Sequence, residues 1–339
     1  MKRSLRSKPD LNTLSEGIVN GDRVILGKAI TLMESSLPED MAVASLLLEK
    51  ILPQTGGSLR IGITGIPGVG KSTFIESLGK RIIDDGKRLA VLSIDPSSSV
   101  TRGSILGDKT RMETLSKDQR AFIRPSSSAL TLGGVTARTR ECILLCEAAG
   151  YDVIIVETVG VGQSETAVKS MVDFFLLLML AGAGDELQGI KKGIIELADG
   201  IVITKADGSN AEAAVSARNV LVNALHFFNS PVSSWKTPVL TSSALTDSGV
   251  SEVWRMILQF ENHSKASGHF ERTRSAQNVS WFSEFFSDLL QADLHFNESL
   301  KEVKRKLESD VAHSRLPARS AAEKLMRSYH EMIRSSRKS

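Results

Sequence analysis

Short runs of apolar residues alternate with segments of helical periodicity through the middle of this 339-residue chain. Such runs are typical of strands that are buried on both faces of a sheet. Strands that alternate with helices in this way predict an α/β fold, in which helices wrap a parallel sheet as in P-loop nucleotide-binding proteins. The predicted strands are LRIGIT, RLAVLSID, YDVIIVE, FFLLLML, GIVITK and TPVLTS.

Helical patterns without strand signals flank this alternating region on both sides. Apolar residues recur at helical spacing up to the break PQTGG at 53–57, and strand signals stop after about residue 245. We therefore predict an N-terminal helical extension over 1–54, a P-loop domain over 55–265 and a C-terminal helical arm over 266–339.

The C-terminal arm carries an apolar stripe at helical spacing. Packing in a core is favoured over a ligand pocket for such a stripe. Because the stripe lies outside the predicted sheet, either the chain's own domain or a second subunit must cover it, and the pattern leaves both open. Its residues are Phe282, Phe285, Phe286, Leu289 and Leu290.

Composition and charge argue against several classes of function. The net charge is only +3 and basic residues are scattered without interleaved aromatics, so nucleic acid is not an expected partner. The longest apolar run, at 174–180, is too short to span a bilayer, so no membrane association is expected. The start, MKRSLRSKP, lacks the apolar stretch of a secretory signal.

The two cysteines, Cys142 and Cys146, lie four residues apart with no further metal ligands nearby. We interpret them as small buried residues of a reduced protein. The expected compartment is the cytoplasm, or the mitochondrial matrix if the source is eukaryotic.

A phosphate-binding loop follows the first predicted strand. Residues 65–72 read GIPGVGKS, which satisfies G-x-x-x-x-G-K-[ST] between a strand and a helix. Its glycines let backbone N–H groups turn toward phosphates, and the following helix N-terminus adds positive potential. Lys71 would lie between the β- and γ-phosphates, and Ser72 would offer its hydroxyl to Mg²⁺. The predicted nucleoside triphosphate site comprises Gly65, Ile66, Pro67, Gly68, Val69, Gly70, Lys71, Ser72 and Thr73.

Two acidic residues end the strands that follow. Carboxylates at neighbouring strand ends, here Asp95 and Glu157, project toward the phosphate loop, where a divalent ion needs oxygen ligands. With Ser72 they form the predicted Mg²⁺ site, and helix caps or turns are the alternative role for either acid. The N–H of Gly160 could meet the γ-phosphate, a contact that the diphosphate would not make, as in a molecular switch.

Two polar, glycine-bearing loops are expected on the nucleotide side of the sheet, at 104–112 and 181–193. In the first, Asp108 and Lys109 could act on the γ-phosphate or on its attacking water. A plain surface turn remains the alternative for these two residues.

The sequence TKADG at 204–208 predicts specificity for guanine. The carboxylate of Asp207 can accept hydrogen bonds from N1–H and the C2 amino group of guanine, whereas adenine would leave this charged acceptor unpaired. Lys205 can lay its methylene stem along the base. The predicted ligand is therefore GTP or GDP. The backbone expected to meet guanine O6 is that of Ser243, Ala244 and Leu245.

Thr204 stands where the usual guanine-recognition sequence has Asn. The amide of Asn can bridge the base and the phosphate loop, and the shorter Thr hydroxyl can make only part of that bridge. We expect a loss of about 1 kcal/mol in nucleotide affinity, the contribution of one ordinary hydrogen bond. Thr204→Asn should therefore bind GDP more tightly.

Several motifs in this order resemble those of the MeaB/ArgK GTPases, the branch that includes the methylmalonic aciduria type A proteins. The resemblance covers almost the whole chain and implies a GTPase domain with an N-terminal helical extension and a C-terminal dimerisation arm. It also implies a chaperone of the adenosylcobalamin-dependent methylmalonyl-CoA mutase, one that gates cofactor loading and protects the mutase from inactivation. The motifs are DPSSSVTRGSILGDKTRM, ETVGVGQSE, GAGDELQGIKKGI, TKADG and SALT.

The resemblance also assigns roles by matching motif. It makes Ser72 a direct Mg²⁺ ligand and leaves two routes to the metal for Asp95 and Glu157, direct or through water. It also places Lys205, Asp207 and the backbone at 243–245 around the base. The chain departs from the family pattern at Arg102, Ala181, Thr204 and 126–134, and none of these departures touches the phosphate loop. The implied catalytic residues are Lys71, Asp95, Asp108 and Glu157.

The expected chemistry is attack of water on the γ-phosphate, with Lys71, Mg²⁺ and backbone amides holding the developing charge. The glutamine nearest the ETVG motif is Gln163, so Asp95 or Asp108 is expected to orient the water. We expect slow intrinsic turnover that accelerates when the mutase orders 104–112 or 181–193.

Two other enzyme classes share this layout. A GTP- or ATP-dependent small-molecule kinase, acting in arginine or ornithine transport, would need an acceptor pocket with a base beside the γ-phosphate, and no segment is dedicated to one. A nickel-delivering GTPase would carry His-rich or Cys-paired metal sites, whereas the six histidines here are dispersed.

Overall fold

The predicted apolar runs form neighbouring strands of one sheet in the computed structural model of the chain. The residues that the structure describes are 10–35, 37–94, 112–125, 132–158, 164–181, 192–225, 235–296 and 298–336. Within them the strands are β1 (Leu59–Gly65), β2 (Leu89–Ile94), β3 (Ala121–Pro125), β4 (Val153–Thr158), β5 (Phe174–Leu180), β6 (Gly200–Thr204) and β7 (Val239–Thr241).

The strands form a seven-stranded sheet in the order β3-β2-β4-β1-β5-β6-β7, and every neighbouring pair is parallel. The predicted α/β fold is therefore confirmed. After β1 the chain moves to one side of the sheet, and β5, β6 and β7 later fill the other side. In open parallel sheets this change of direction leaves a ligand crevice at the carboxyl ends of the strands, which here lies at the end of β1.

The edge strand β3 is a strand that the hydrophobic pattern does not predict. Its sequence, AFIRP, ends in Arg124 and Pro125 and so lacks a continuous apolar run. The strand pairs only with β2, and a proline is tolerated at a sheet edge because no second neighbour requires its missing N–H.

Helices cover both faces of the sheet, because the strands are apolar on both faces. On one face, Ile61 of the sheet packs with Phe74 and Trp254 from two of these helices. On the other face, Ile203 packs with Leu221 in a separate cluster. The helices between the strands are α4 (Lys71–Asp84), α5 (Glu113–Lys117), α6 (Leu132–Ala148), α7 (Ser164–Lys169), α8 (Lys192–Leu197) and α9 (Ala211–Leu225), and α10 (Val250–Ala266) follows β7.

Three helices precede the sheet and pack against one another and against α6. The first two begin at aspartate caps: Asp10 accepts from the N–H groups of Asn12 and Thr13, and Asp22 caps its helix in the same way. These helices are α1 (Leu11–Val19), α2 (Arg23–Met33) and α3 (Pro38–Ile51).

Both cysteines are buried in α6 and form no disulfide. Burial raises the pKa of the Cys142 thiol well above its ordinary value and also raises that of Cys146. The interpretation of Cys142 and Cys146 as small buried residues is therefore confirmed.

The chain divides into two compact units, Met1–Arg274 and Ser275–Ser339. The remaining helices are α11 (His269–Phe296), α12 (Glu298–Ala312) and α13 (Ala318–Ser336). In the second unit α12 packs against α13. Across the described ranges, no helix combines the length and the apolar character needed to cross a membrane.

The apolar stripe of the second unit lies on α11. Phe282, Phe286 and Leu289 are more than half exposed, at 70%, 54% and 65%. The rings of Phe282 and Phe286 stack with their centroids 6.3 Å apart. The expectation of core packing is therefore not met for these three side chains within the second unit.

Candidate nucleotide-binding site

The phosphate loop connects the carboxyl end of β1 to the first turn of α4. At Gly65, φ is 154°, and a Cβ would stand 2.5 Å from the carbonyl oxygen of Leu178 on the neighbouring strand. Gly70, at φ 95°, precedes α4 in a left-handed conformation. Only glycine fits both requirements at low cost. No side chain caps α4, so its first N–H groups are available as donors to an anion.

Lys71 lies over this loop. Its Nζ donates to the carbonyl oxygens of Gly65 (2.8 Å) and Ile66 (3.2 Å). Burial lowers the pKa of Lys71, while the negative charges of Glu157 and Glu165 act in the opposite direction. Glu165, in the first turn of α7, was not predicted as part of the site, although it is the last residue of the motif ETVGVGQSE. A phosphate would meet a desolvated ammonium group here, which strengthens their attraction.

Ser72 and Glu157 come together beside Lys71. The hydroxyl of Ser72 donates to Oε1 of Glu157 at 3.3 Å, and the Glu157 side chain is buried at the end of β4. A hydroxyl and a carboxylate are the oxygen donors that Mg²⁺ takes in phosphate sites, where it keeps several waters as ligands. These two residues therefore fit Mg²⁺. The other predicted groups near the γ-phosphate, Asp95, Asp108, Lys109 and Gly160, lie outside the described residues.

On the base side, Thr204 contacts the phosphate loop. Its Oγ1 lies 2.8 Å from the carbonyl oxygen of Val69 and 3.2 Å from that of Met179. Thr204 ends β6 and is buried, so it joins the end of β6 to the loop that follows β1. The Val69 contact is the part of the Asn bridge that lies within the protein.

Lys205 follows in a left-handed conformation, with φ 55°, which is uncommon for a residue other than glycine. Its carbonyl oxygen accepts from Nδ2 of Asn210 at 2.8 Å, a bond that holds this turn. The Cε atom of Lys205 lies 3.9 Å from the position that a Cβ on Gly70 would take. The lysine stem therefore runs beside the phosphate loop, where one edge of a bound base would meet it.

Asp207 is held by Ser243, whose Oγ donates to Oδ2 of Asp207 at 2.6 Å. The ends of β6 and β7 are tied together here, since the N–H of Ser242 donates to Ile203 O (2.9 Å) and that of Ala206 donates to Ser242 O (3.1 Å). The sequence predicts that Asp207 and Ser243 lie near the base, but it does not reveal that they bond to each other. Of the predicted backbone segment 243–245, Ser243 is buried and Leu245 is 86% exposed.

Asp247 was not predicted and supports the same loop. Its Oδ1 accepts from the hydroxyl of Ser77 on α4 at 2.6 Å, and its φ is 57°. Ser243 and Ser248 form an antiparallel bridge across the turn. The loop that would meet the base is thus tied to the helix that begins at the phosphate loop.

The described site residues therefore lie together at the carboxyl ends of the parallel strands. The contact between Thr204 and Val69 joins the end of β6 to the phosphate loop. Pro67, Gly68 and Thr73 are exposed, so they face the open side of the loop. Basic, acidic and hydroxyl groups in this arrangement suit a nucleotide with a charged phosphate chain.

Comparisons with known proteins find GTPases that are similar to this chain. A family model described as Methylmalonyl Co-A mutase-associated GTPase MeaB matches residues 26–299. GTPase ArgK of Escherichia coli (strain K12) is 46% identical over 316 residues, which cover 92% of this chain and 96% of that protein. The mitochondrial Methylmalonic aciduria type A homolog of Mus musculus is 42% identical over 329 residues, with coverage of 94% and 79%.

Among solved structures, the crystal structure of a protein described as LAO/AO transport system kinase is similar along most of this chain. It is 39% identical, has a TM-score of 0.76, and covers 96% of this chain and 100% of that chain.

Proposed function

The chain belongs to the MeaB family of GTPases, and from this premise we propose that it is a GTP-dependent chaperone of the adenosylcobalamin-dependent methylmalonyl-CoA mutase. In this role it gates cofactor loading and protects the mutase from inactivation. The observation that carries the proposal is the match of a mutase-associated GTPase model over residues 26–299. The proposed compartment of the protein is the cytoplasm, or the mitochondrial matrix if the source is eukaryotic.

The proposed guanine reader is Asp207, with Lys205 beside the base and the backbone at 243–245 near O6. The hydrogen bond from Ser243 supports this role, because it fixes the carboxylate and still leaves each oxygen a lone pair to accept from N1–H or from the C2 amino group. An adenine base would leave that charged acceptor unpaired.

Hydrolysis is proposed to depend on Lys71, Ser72, Asp95, Asp108 and Glu157. Ser72 and Glu157 would hold Mg²⁺ together with Asp95, and the ion would supply positive charge at the phosphate oxygens. Lys71 would exchange its carbonyl contacts for phosphate oxygens and stabilise charge in the transition state. Asp95 or Asp108 would orient the attacking water.

The test of the chaperone role is the rate of GTP hydrolysis with and without the mutase. Because no glutamine directly follows the ETVG motif, we expect slow turnover alone and a clear increase on addition of the apo-mutase. A Lys71→Ala variant, which lacks the phosphate-loop charge, should not hydrolyse GTP measurably, either alone or with the mutase. Equal rates with and without mutase would contradict the coupling. A pull-down that captures the same amount of mutase with GDP and with a non-hydrolysable GTP analogue would contradict it too.

The oligomeric form that we propose is a homodimer assembled through the C-terminal arm, 266–339. The exposed and stacked rings of Phe282 and Phe286 support this, because isolated proteins seldom leave contiguous large apolar side chains in water.

A second candidate function is phosphorylation of a small molecule, and the kinase description of the similar crystal structure is what favours it. A kinase would transfer the γ-phosphate to an amino acid rather than to water. Incubation with γ-labelled GTP and arginine or ornithine distinguishes the two, because a labelled amino acid appears only with a kinase. We expect labelled inorganic phosphate alone.

A further inference from the structure

Thr204 is placed between two backbone carbonyl groups. Its Oγ1 lies 2.8 Å from Val69 O in the phosphate loop and 3.2 Å from Met179 O on β5. The residue is only 5% exposed, so water has little access to its hydroxyl. Both protein atoms near the hydroxyl are acceptors.

A hydroxyl group carries one proton and two lone pairs. With two carbonyl oxygens as neighbours, the Thr204 proton is directed at Val69 or at Met179. Only lone pairs then remain for any other partner. The N7 atom of guanine is itself an acceptor, and two acceptors cannot form a hydrogen bond.

An Asn at this position would behave differently, because its amide carries two protons on one nitrogen. One proton could serve the Val69 carbonyl and the other could serve N7. The difference between the two side chains is therefore the loss of one contact to the base, while the contact to the phosphate loop is kept.

We propose that this site recognises guanine without a hydrogen bond to its N7 atom, so that it binds guanine nucleotides that lack the N7 acceptor as tightly as the natural ones. The inference rests on the proposed recognition of N1–H and the C2 amino group by Asp207. It adds to that proposal that the edge of the base that carries N7 makes no hydrogen bond to the site.

The test is calorimetric titration of the whole protein with GDP, 7-deaza-GDP and ADP. In 7-deaza-GDP a C–H replaces N7, so it cannot accept a hydrogen bond there. For the wild type we expect the Kd values of GDP and 7-deaza-GDP to agree within about twofold. For Thr204→Asn we expect 7-deaza-GDP to bind about fivefold more weakly than GDP, the effect of one hydrogen bond.

Thr204→Val is the matched control, because valine has the shape of threonine without its hydroxyl. It should weaken GDP and 7-deaza-GDP by the same factor, since the lost bond is to Val69 and not to the base. The ratio of their Kd values should stay near one.

A wild type that binds 7-deaza-GDP more than about twofold weaker than GDP would overturn the inference, because another donor would then read N7. A Thr204→Asn variant that still ignores the change would also overturn it, because position 204 would not face N7. If either variant fails to fold, the wild-type ratio alone decides. ADP bound as tightly as GDP would refute the guanine recognition itself, whereas weak ADP binding with a 7-deaza penalty would refute only this inference.

Discussion

Glu141 on α6 is a residue whose proton binding differs between the folded and unfolded chain. Burial raises the pKa of its carboxyl from 4.5 to about 7, and the nearby charge of Arg138 only partly opposes this. Between these two pH values the folded chain holds a proton that the unfolded chain has released. The free energy of unfolding should therefore fall as pH rises from about 4.5 to 7, by up to roughly 3 kcal/mol from this group.

Urea denaturation at pH 5 and pH 8 measures this effect. Glu141→Gln resembles the protonated side chain and cannot ionise, so the variant should match the wild type at pH 5 and exceed its stability at pH 8. Glu49→Gln on α3, where the glutamate is exposed, should leave the pH dependence of the wild type unchanged. Parallel stability profiles for wild type and Glu141→Gln would contradict the argument.

The residues of the site differ in how far the sequence can predict them. The phosphate loop is predictable because its glycines and Lys71 act through local geometry that any such loop needs. The two carbonyl contacts of Thr204 are not predictable in this way. They depend on how β5, β6 and the phosphate loop meet in space, and Val69 is 135 residues away from Thr204 along the chain.

Among the secondary-structure elements, the buried strands were predicted well, because a strand covered on both faces must be apolar along its whole length. The pattern RLAVLSID predicts β2, and the observed strand is Leu89–Ile94. The strand β3 was missed, because an edge strand pairs on one side only and tolerates Arg124 and Pro125. The hydrogen bond between α4 and the loop after β7 also has no sequence signal, since it joins Ser77 to a residue 170 positions away.

The hydrogen bond between Ser77 and Asp247 should affect nucleotide binding. Asp247 accepts from Ser77 at 2.6 Å and so holds the loop after β7 against α4, the helix that follows the phosphate loop. Ser77→Ala and Asp247→Ala should each weaken GDP binding by about fivefold, because one ordinary hydrogen bond no longer holds the loop in place. Stopped-flow measurement with a fluorescent GDP analogue should find the loss mainly in a faster dissociation rate.

Asp247→Asn separates positioning from charge. Asn keeps an acceptor oxygen for Ser77 and, like aspartate, tolerates the left-handed backbone with φ 57°. It should therefore restore GDP affinity to near the wild-type value. Ser287→Ala serves as a control, because that hydroxyl donates within its own helix α11, to Ser283 O at 2.8 Å. If Asp247→Asn binds GDP as weakly as Asp247→Ala, the charge and not the hydrogen bond matters, and the prediction is wrong.

For the whole molecule, the sequence indicates helices outside the sheet but not which surface of them is covered. The structure describes two compact units, and the second carries exposed apolar side chains on α11. Val279, Phe282, Phe286 and Leu289 are spaced by three or four residues, so they lie along one face of that helix. Helical periodicity predicts such a face, but it does not show which partner covers the face.

The proposed homodimer makes this face testable. Phe282→Asp places a charge where a ring would be buried, and a two-fold interface contains the change twice. Losing the burial of one phenylalanine per subunit costs about 1.5–3 kcal/mol each, so the dimer should dissociate at least a hundredfold more readily. Sedimentation velocity over a range of concentrations measures this directly. Affinity for GDP should stay unchanged, because α11 supplies no residue of the described nucleotide site.

Ser283→Asp is the matched control for charge, since Ser283 is exposed on α11 beside Phe282 and donates its hydroxyl to Val279 O within the same helix. It should affect dissociation far less than Phe282→Asp, because a serine contributes little apolar area to an interface. A wild-type protein that is monomeric at every concentration, or a Ser283→Asp variant that dissociates as readily as Phe282→Asp, would show that the apolar face does not hold two copies together. In that outcome a different protein would bind the exposed rings, and binding of the mutase to Phe282→Asp would be the first measurement to make.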